Sequence, residues 1–161
     1  MRGDRDVIAL LNEQLTSELT AINQYFLHSK MQSHWGLTKL AEHTRAEAFE
    51  EMQHAERLTE RILFLDGLPN YQRLFSLRIG QTLGEQFEAD LAVEVEVVER
   101  LRPGITMCRE KSDITTANLL EKLLADEEHH IDYLETQLEL MTKLGEPLYL
   151  AQLVDRPPTV D

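Results

Sequence analysis

Residues 46–56 read Ala46-Glu47-Ala48-Phe49-Glu50-Glu51-Met52-Gln53-His54-Ala55-Glu56, and they place acidic and imidazole side chains where a helix is expected to be apolar. Glu51 and His54 fall on a helical stripe whose members are three or four positions apart. That stripe comprises Leu40, Thr44, Glu47, Glu51, His54, Leu58, Ile62 and Leu65. Glu51 and His54 are therefore predicted to face the core together with the leucines.

A second Glu-x-x-His motif lies downstream, at Glu127 and His130, on a stripe of the same kind. Two further helical segments each carry one acid on an otherwise apolar line, Glu18 in the first and Glu94 in the third. The spacing repeats, because 94 − 18, 127 − 51 and 130 − 54 all equal 76. The pattern predicts two similar helical hairpins, each offering a Glu and then a Glu-x-x-His.

The prediction depends mainly on the common register of all six residues. A single Glu-x-x-His on a helix is weak evidence, because such a pair commonly belongs to a solvated face. An accidental match of spacing and helix face in both halves of the chain is improbable. The neighbours Glu50, Glu128 and His129 lie off the stripes, so they are predicted to stand outside the cluster.

Four buried carboxylates need a counter-charge, because each ionised group costs several kcal/mol to desolvate without a partner. Two divalent cations would neutralise the four acids, and the two imidazoles would add neutral nitrogen ligands. Oxygen-rich ligation without thiolate favours iron or manganese over a closed structural zinc site. One Glu from each of two helices and Glu-x-x-His from the other two is the pattern of ferritin-like di-iron or di-manganese bundles.

The length and charge of the chain restrict its class. At 161 residues the sequence is predicted to form a single domain, residues 1–161, with a sizeable core. A net charge of −13 argues against nucleic acid or an acidic membrane surface as a partner. Cys108 is the only cysteine, which favours a reducing compartment. With no apolar targeting segment and no run of about 20 apolar residues, a cytoplasmic protein is expected.

The helix signals predict an all-α chain of four long helices. The first begins at a cap on Asp4 or Asp6 and ends near His34, and the second is capped by Thr38 and stops before Gly67. Residues 68–81 lose the helical period and are predicted to cross the bundle. Thr82-Leu83-Gly84-Glu85 reads as a capping box for the third helix.

The C-terminal part of the chain carries its own boundary signals. Pro103 and Gly104 are predicted to kink the third helix without ending it. The fourth helix is predicted to begin at Ser112 or Asp113 and to end at Gly145. A short fifth helix is expected over 148–153, docked on its own bundle or on a neighbouring subunit. Residues 156–158, Arg156-Pro157-Pro158, are expected to form an extended tail.

Met52 lies about 100° around the second helix from Glu51 and so points away from the metal stripe. Phe49 lies beside it, and the first helix carries a comparable apolar line of Leu19, Ile22 and Phe26. Such a surface commonly marks a subunit interface. For Met52 itself two readings stay open, interface packing and axial ligation of haem.

With these residues in view, the sequence resembles the bacterioferritin family across essentially its whole length. The resemblance rests on the sequences of residues 12–25, Glu51-Met52-Gln53-His54-Ala55-Glu56, Asp66-Gly67-Leu68-Pro69 and residues 126–133. It implies a hollow cage of 24 subunits with a di-iron ferroxidase centre in each. At that centre Fe²⁺ is oxidised by dioxygen or hydrogen peroxide, and ferric mineral is stored in the cavity. The matching ligands are Glu18, Glu51, His54, Glu94, Glu127 and His130.

The resemblance also implies further partners. The methionine that matches Met52 holds haem b between two subunits in the family, and a ferredoxin or reductase releases the iron. Tyr25 matches a tyrosine thought to lend an electron, although a core phenol is an equally good interpretation. Some relatives carry His at position 46 and Asp at position 50 as an additional inner-surface iron site. Ala46 and Glu50 put that site in doubt here, and Tyr133 stands where some relatives have Trp.

Two other functions are compatible with the pattern. One is another ferritin-like di-metal enzyme that removes peroxide, although a rubrerythrin would normally add a cysteine-rich iron site, which a single Cys108 excludes. The other is a haem scaffold or electron-relay subunit of a mixed cage. That function predicts a damaged di-metal site, whereas all six ligand types are present.

Overall fold

The computed structural model describes residues 1–155, and within that range the chain forms five helices and no strand. Their bounds are α1 Arg5–His34, α2 Thr38–Phe64, α3 Leu83–Glu110, α4 Ile114–Leu144 and α5 Glu146–Ala151. The predicted all-α architecture is confirmed: four long helices, a long crossover between the second and third, and a short fifth helix. The expected tail at 156–158 lies outside the described residues. In the described part of the chain, no helix is both long and apolar enough to cross a bilayer.

Most helix ends follow the local sequence. Asp4 caps α1 by accepting hydrogen bonds from the backbone amides of Asp6 and Val7. Thr82 and Glu85 form the predicted capping box of α3, and Asp113 caps α4 by accepting from the backbone amide of Thr116. Each cap satisfies amides that would otherwise lack a partner at a helix N-terminus.

The prediction that Thr38 caps α2 is wrong. Thr38 is the first helical residue, and Leu37 at the cap position provides no side-chain bond. The start of α2 is instead held by Asp155, whose carboxylate accepts from the Thr38 amide at 3.2 Å and from the Thr38 hydroxyl at 2.5 Å. The capping acid is thus 117 positions away, beyond the reach of any local pattern.

The fifth helix begins two residues earlier than expected. Gly145 has a φ of 77°, which ends α4, and Pro147 then lies in the first turn of α5, where the missing amide costs nothing. Tyr149 anchors this short helix to the bundle, because its ring packs edge-on against Phe87 and its hydroxyl donates to Gln137 at 2.7 Å.

The third helix runs through Pro103 without ending, as expected. Gly104 follows it and lies against Leu10 of α1. A Cβ at this position would lie 2.9 Å from the Leu10 side chain, so the glycine permits the two helices to pack at that distance.

The crossover, residues 65–82, lies along one row of polar side chains on α1. Asn12, Thr20, Gln24 and His28 accept hydrogen bonds from the backbone amides of Asn70, Phe75, Arg78 and Gly80 respectively, at 2.8–3.0 Å. We call these four contacts the α1 ladder. The ladder supplies the hydrogen bonds that a segment without regular secondary structure cannot make internally.

Helices α1 and α3 pack antiparallel, as do the two hairpin pairs α1/α2 and α3/α4. The apolar core fills both ends of the bundle. Between its layers, one group of charged side chains is buried in the middle of the molecule.

Candidate metal centre

The six residues of the repeated pattern meet at the bundle centre, each supplied by the helix on which it was predicted. Glu18 comes from α1 and Glu94 from α3, while α2 and α4 contribute the two Glu-x-x-His motifs. None of the six side chains is more than 5% exposed; they are Glu18, Glu51, His54, Glu94, Glu127 and His130. Because the ligand positions are on helices held at both ends by apolar core, the backbone fixes their arrangement.

His54 lies against three of the carboxylates. Its Nδ1 is 3.0 Å from Glu127 Oε1, 3.2 Å from Glu51 Oε2 and 3.8 Å from Glu18 Oε2. These four residues bring one ligand atom each to within 4.8 Å of one another, a spacing that suits a single metal ion.

His130 occupies the mirror position on the other side. Its Nδ1 lies 3.1 Å from Glu51 Oε1, 3.2 Å from Glu127 Oε2 and 3.4 Å from Glu94 Oε1. This second group also meets the 4.8 Å criterion. Glu51 and Glu127 belong to both groups, so each of them can bridge two metals through its two oxygens.

Several buried polar atoms at the centre have no hydrogen-bond partner. They are Glu18 Oε2, Glu51 Oε1, Glu94 Oε2, both carboxylate oxygens of Glu127, and His130 Nδ1. Unpaired buried acceptors are costly, and in native proteins their clustering calls for an explanation. The donor set consists of oxygens with one nitrogen per group, which fits iron or manganese.

The electrostatics of the carboxylates reflect crowding. Burial raises the pKa of Glu51 to about 8, and the charge of Glu18 adds to the effect. Burial and the charge of Glu127 raise the pKa of Glu94 well above its ordinary value. Burial likewise raises the pKa of Glu127, with the Glu51 charge contributing. The crowding of these carboxylates therefore disfavours their ionised forms unless positive charge lies close to them.

Burial acts in the opposite direction on the pKa values of the two histidines. Burial alone lowers the pKa of His54 and of His130, but the negative carboxylates that surround each ring, Glu127 first among them, outweigh it. Both pKa values consequently lie well above that of free imidazole. A metal that binds Nδ1 would have to displace these protons.

Glu50 and Asp126 contact the outer nitrogens of the two histidines. Glu50 Oε2 lies 2.7 Å from His130 Nε2, and Asp126 Oδ2 lies 3.0 Å from His54 Nε2. A carboxylate on the outer nitrogen fixes the tautomer and orientation of a metal-binding imidazole. Each carboxylate favours a proton on Nε2, which leaves Nδ1 free to face a metal.

The sequence did not predict these two outer contacts, although the prediction that Glu50 lies outside the six-residue cluster agrees with the two groups found. A signal was available, because 126 − 50 also equals 76, the repeat of the ligand pattern. Helical periodicity does not detect the pair, because it indicates only which residues of a helix face inward. Glu50 and Asp126 lie off the inward stripes, but each reaches a ring that projects from another helix.

Tyr25 donates its hydroxyl hydrogen bond to Glu94 Oε1. The ring is fully buried, and burial together with the charge of Glu94 raises the pKa of the phenol well above its ordinary value. Tyr25 is therefore a neutral phenol that directly contacts Glu94, one of the six residues.

A cleft of about 300 Å³ approaches the centre from one side. His130, Glu50 and Asp126 form its inner wall. Its remaining walls are lined by His43, Ala46, Glu47, His129 and Tyr133. The cleft therefore leads from the surface to the outer partners of both histidines. Among residues 1–155, no third group of His, Cys, Asp or Glu brings three ligand atoms this close together.

Met52 lies on a different face. It is 49% exposed, and the neighbouring Phe49 and Phe26 are 54% and 43% exposed. Leu19 and Ile22 are half-buried below them, packed against the core. We call these five residues the apolar face. Three of them, Met52, Phe49 and Phe26, are large apolar side chains exposed to solvent in the single chain.

A four-helix bundle with four buried Glu and two His at its centre defines the ferritin-like class of proteins. The family model described as a ferritin-like domain matches residues 8–144. The bacterioferritin of Mycobacterium bovis and the bacterioferritin BfrA of Mycobacterium tuberculosis are each 76% identical over 159 residues, which cover 99% of this chain and 100% of theirs.

Solved structures agree with the sequence comparison. The structure of Mycobacterium tuberculosis bacterioferritin, BfrA, superposes with a TM-score of 0.96 at 76% identity, and the match covers 99% of this chain and 100% of that one. A more distant bacterioferritin, from Streptomyces coelicolor, is 65% identical over 97% of this chain and 93% of its own length. The chain belongs to the bacterioferritin family, and membership is consistent with iron storage.

Proposed function

We propose that the chain is an iron-storage ferroxidase that oxidises Fe²⁺ at a di-iron centre and stores ferric mineral inside a 24-subunit cage. The observation that carries the proposal is the pair of four-residue groups that share Glu51 and Glu127. Two metals bridged by two carboxylates lie close enough to react together with one oxidant.

The residues of the chain have distinct tasks in this proposal. Glu18 and His54 would hold one iron and Glu94 and His130 the other, and Glu51 and Glu127 would be shared by the two. Glu50 and Asp126 orient the two imidazoles from outside. When iron is bound, two Fe²⁺ supply the two electrons that reduce dioxygen to hydrogen peroxide, with two protons taken from the medium.

Tyr25 has a supporting task. Its hydrogen bond fixes Glu94 Oε1, and its neutral phenol is an oxidisable group in contact with that carboxylate. We assign Tyr25 as an auxiliary electron donor to the centre. The Fe²⁺ enters through the cleft lined by His130, Glu50 and Asp126, whose carboxylates attract cations.

The apolar face around Met52 supports the proposed assembly. Two copies meeting through Met52, Phe49 and Phe26 would bury these exposed side chains and bring two thioethers together, a donor set suited to the iron of haem b. The haem would then lie between the subunits of each two-fold pair. A ferredoxin or reductase is the proposed source of electrons for iron release, and the cytoplasm is the proposed location, because Cys108 is a free thiol.

The test of this function is an aerobic Fe²⁺ titration of the purified protein, following ferric absorbance and counting the iron retained per chain. Glu18→Ala removes a proposed ligand, and Glu13→Ala, which removes a partly exposed acid on the same helix paired with Arg73, is the matched control. We expect fast oxidation and retention far above two iron atoms per chain in the native protein and in Glu13→Ala. The fast phase should be absent in Glu18→Ala.

Other results would select the alternatives. Saturation at two iron atoms per chain would leave a di-metal enzyme without a store and contradict the cage. Failure to oxidise iron together with strong haem binding would instead favour the haem scaffold. A haem titration of Met52→Leu, with Met107→Leu as the control, tests the ligand separately: the haem absorbance of the native protein should be lost only in Met52→Leu.

A further inference from the structure

Gln14 lies one helical turn before Glu18 on α1 and is completely buried. Its Nε2 donates to Glu18 Oε1 at 2.6 Å. Its Oε1 has no hydrogen-bond partner, although it is buried in the interior of the bundle. An amide with one satisfied end and one orphaned end is a costly arrangement, so a structural role alone explains it poorly.

The orientation of the amide follows from Glu18. If the amide were reversed, Gln14 Oε1 would face the carboxylate oxygen, and two acceptors would oppose each other. Donation to Glu18 therefore leaves Oε1 buried without a donor. One end of the Gln14 amide is therefore unpaired, while the other makes a short, charge-assisted hydrogen bond to Glu18, one of the proposed ligands.

The other half of the centre has no such amide. The residue that occupies the equivalent position is Asp90, because 90 − 14 equals the repeat of 76. Asp90 turns away from Glu94 and accepts from Gln24 and His28, each at 2.8 Å. Glu94 receives its dedicated donor from Tyr25 instead. The six proposed ligands repeat after 76 residues, whereas the hydrogen-bond donors to Glu18 and Glu94 do not.

We propose that Gln14 is a positioning residue for Glu18 and makes the two metal positions inequivalent, so that its loss weakens metal binding on the Glu18–His54 side alone. The proposal rests on the di-metal centre proposed above. Gln14 touches no metal in this scheme and acts only through the carboxylate that it orients. Partners of this kind typically contribute about 10–100-fold to metal affinity.

The experiment is a Co²⁺ titration of the metal-free protein, followed by the visible absorbance of bound Co²⁺, which requires no oxidation chemistry. Gln14→Leu removes the donor while keeping the volume of the side chain. Gln24→Leu is the matched control, because Gln24 is also a fully buried glutamine on α1 but bonds Asp90 and not a proposed ligand. If either variant fails to fold, Gln14→Met and Gln32→Leu replace them.

We expect two Co²⁺ per chain in the native protein, one of the two binding steps weakened about 10–100-fold in Gln14→Leu, and both steps unchanged in Gln24→Leu. In a Glu94→Ala background the remaining step should weaken on adding Gln14→Leu, whereas in a Glu18→Ala background it should not change. This cycle identifies which side is affected.

Three results would overturn the positioning role. They are native binding in Gln14→Leu, equal weakening in Gln14→Leu and Gln24→Leu, or equal weakening of both steps in Gln14→Leu. If the native protein itself binds no pair of Co²⁺, the metal centre fails and the role of Gln14 fails with it. Two native sites with an unaffected Gln14→Leu overturn only the role of Gln14.

Discussion

Asp90 and Glu94 lie one turn apart on α3, and both are buried acids whose pKa burial raises. Their hydrogen bonds differ. Asp90 Oδ1 accepts from Gln24 and from His28 Nδ1, and His28 in turn accepts the Gly80 amide at 3.0 Å. Glu94 has one donor, Tyr25, and its Oε2 has none.

These hydrogen bonds indicate different roles for the two buried acids. The Gly80 amide must donate to His28 Nε2, so the proton of the ring lies on Nδ1 and points to Asp90. That network is complete with protein groups alone and joins the crossover to the bundle. The network around Glu94 is incomplete without a further positive charge. Burial is common to both acids, whereas unsatisfied oxygens are found only at Glu94, the proposed metal ligand.

The largest expected effect comes from breaking the incomplete network. Glu127→Gln keeps the shape of a residue whose two oxygens both lack partners, but removes its charge. We expect Co²⁺ affinity to fall by at least about 100-fold, because Glu127 is a proposed bridging ligand and a ligand contributes more than the groups that orient it. The thermal midpoint of the metal-free protein should not fall, because a crowded charge has been removed. A lower midpoint with native metal affinity would assign Glu127 to structure.

Breaking the complete network should give the opposite pattern. Asp90→Ala leaves Gln24 and His28 without their acceptor and loosens the hold of His28 on Gly80, so we expect a loss of about 3 kcal/mol of stability. Two Co²⁺ should still bind. The shift in thermal midpoint of the metal-free protein measures the loss. A native midpoint combined with loss of metal would place Asp90 in the centre and reverse the comparison.

Tyr25 links the two acids, because it is buried beside Asp90 and bonded to Glu94. Tyr25→Phe removes only the hydroxyl, so two metals should still bind and the helix packing should persist. We expect Fe²⁺ oxidation, followed by stopped-flow absorbance, to slow by about tenfold, the lower limit for removing a partner of a ligand. An unchanged rate would leave Tyr25 as a core phenol.

The smallest effect is expected at a half-buried acid. Burial raises the pKa of Asp113, but hydrogen bonds from Thr116 and Arg61 outweigh this and hold it below its ordinary value. Its stabilisation is therefore present at neutral pH and is lost as the pH falls through the lowered folded pKa. Asp113→Ala should cost about 1 kcal/mol at pH 7, and the difference from the native protein should shrink below about pH 4. A constant difference in thermal midpoint across this range would contradict the linkage.

The helices and the convergence of the six residues could be derived from the sequence, because both depend on regular geometry. Periodicity assigns each Cβ to a face, and local caps such as Asp4 and Thr82 fix where a helix starts. The metal identity, the cage and the haem remain predictions, because they depend on chemistry and contacts outside one chain.

Contacts between distant residues could not be derived. Asp155 holds the start of α2 through the fold alone, and no local pattern announces it. The contact of Glu50 with His130 was not predicted, because the direction of a Cβ does not reveal how far a ring from another helix projects. The orphaned oxygen of Gln14 is likewise invisible without coordinates, since the sequence marks only a glutamine on a buried stripe.

The α1 ladder restricts where this chain can accept an insertion. Its rungs on α1 run from Asn12 to His28, a helical rise of about 24 Å at 1.5 Å per residue. The segment from Asn70 to Gly80 covers that distance with four of its backbone amides bonded to side chains of α1. Long surface loops ordinarily absorb insertions at little cost. Here the longest connection is the one held in register, so an added domain or a permuted terminus belongs in the short turns at Gly36 or Ser112.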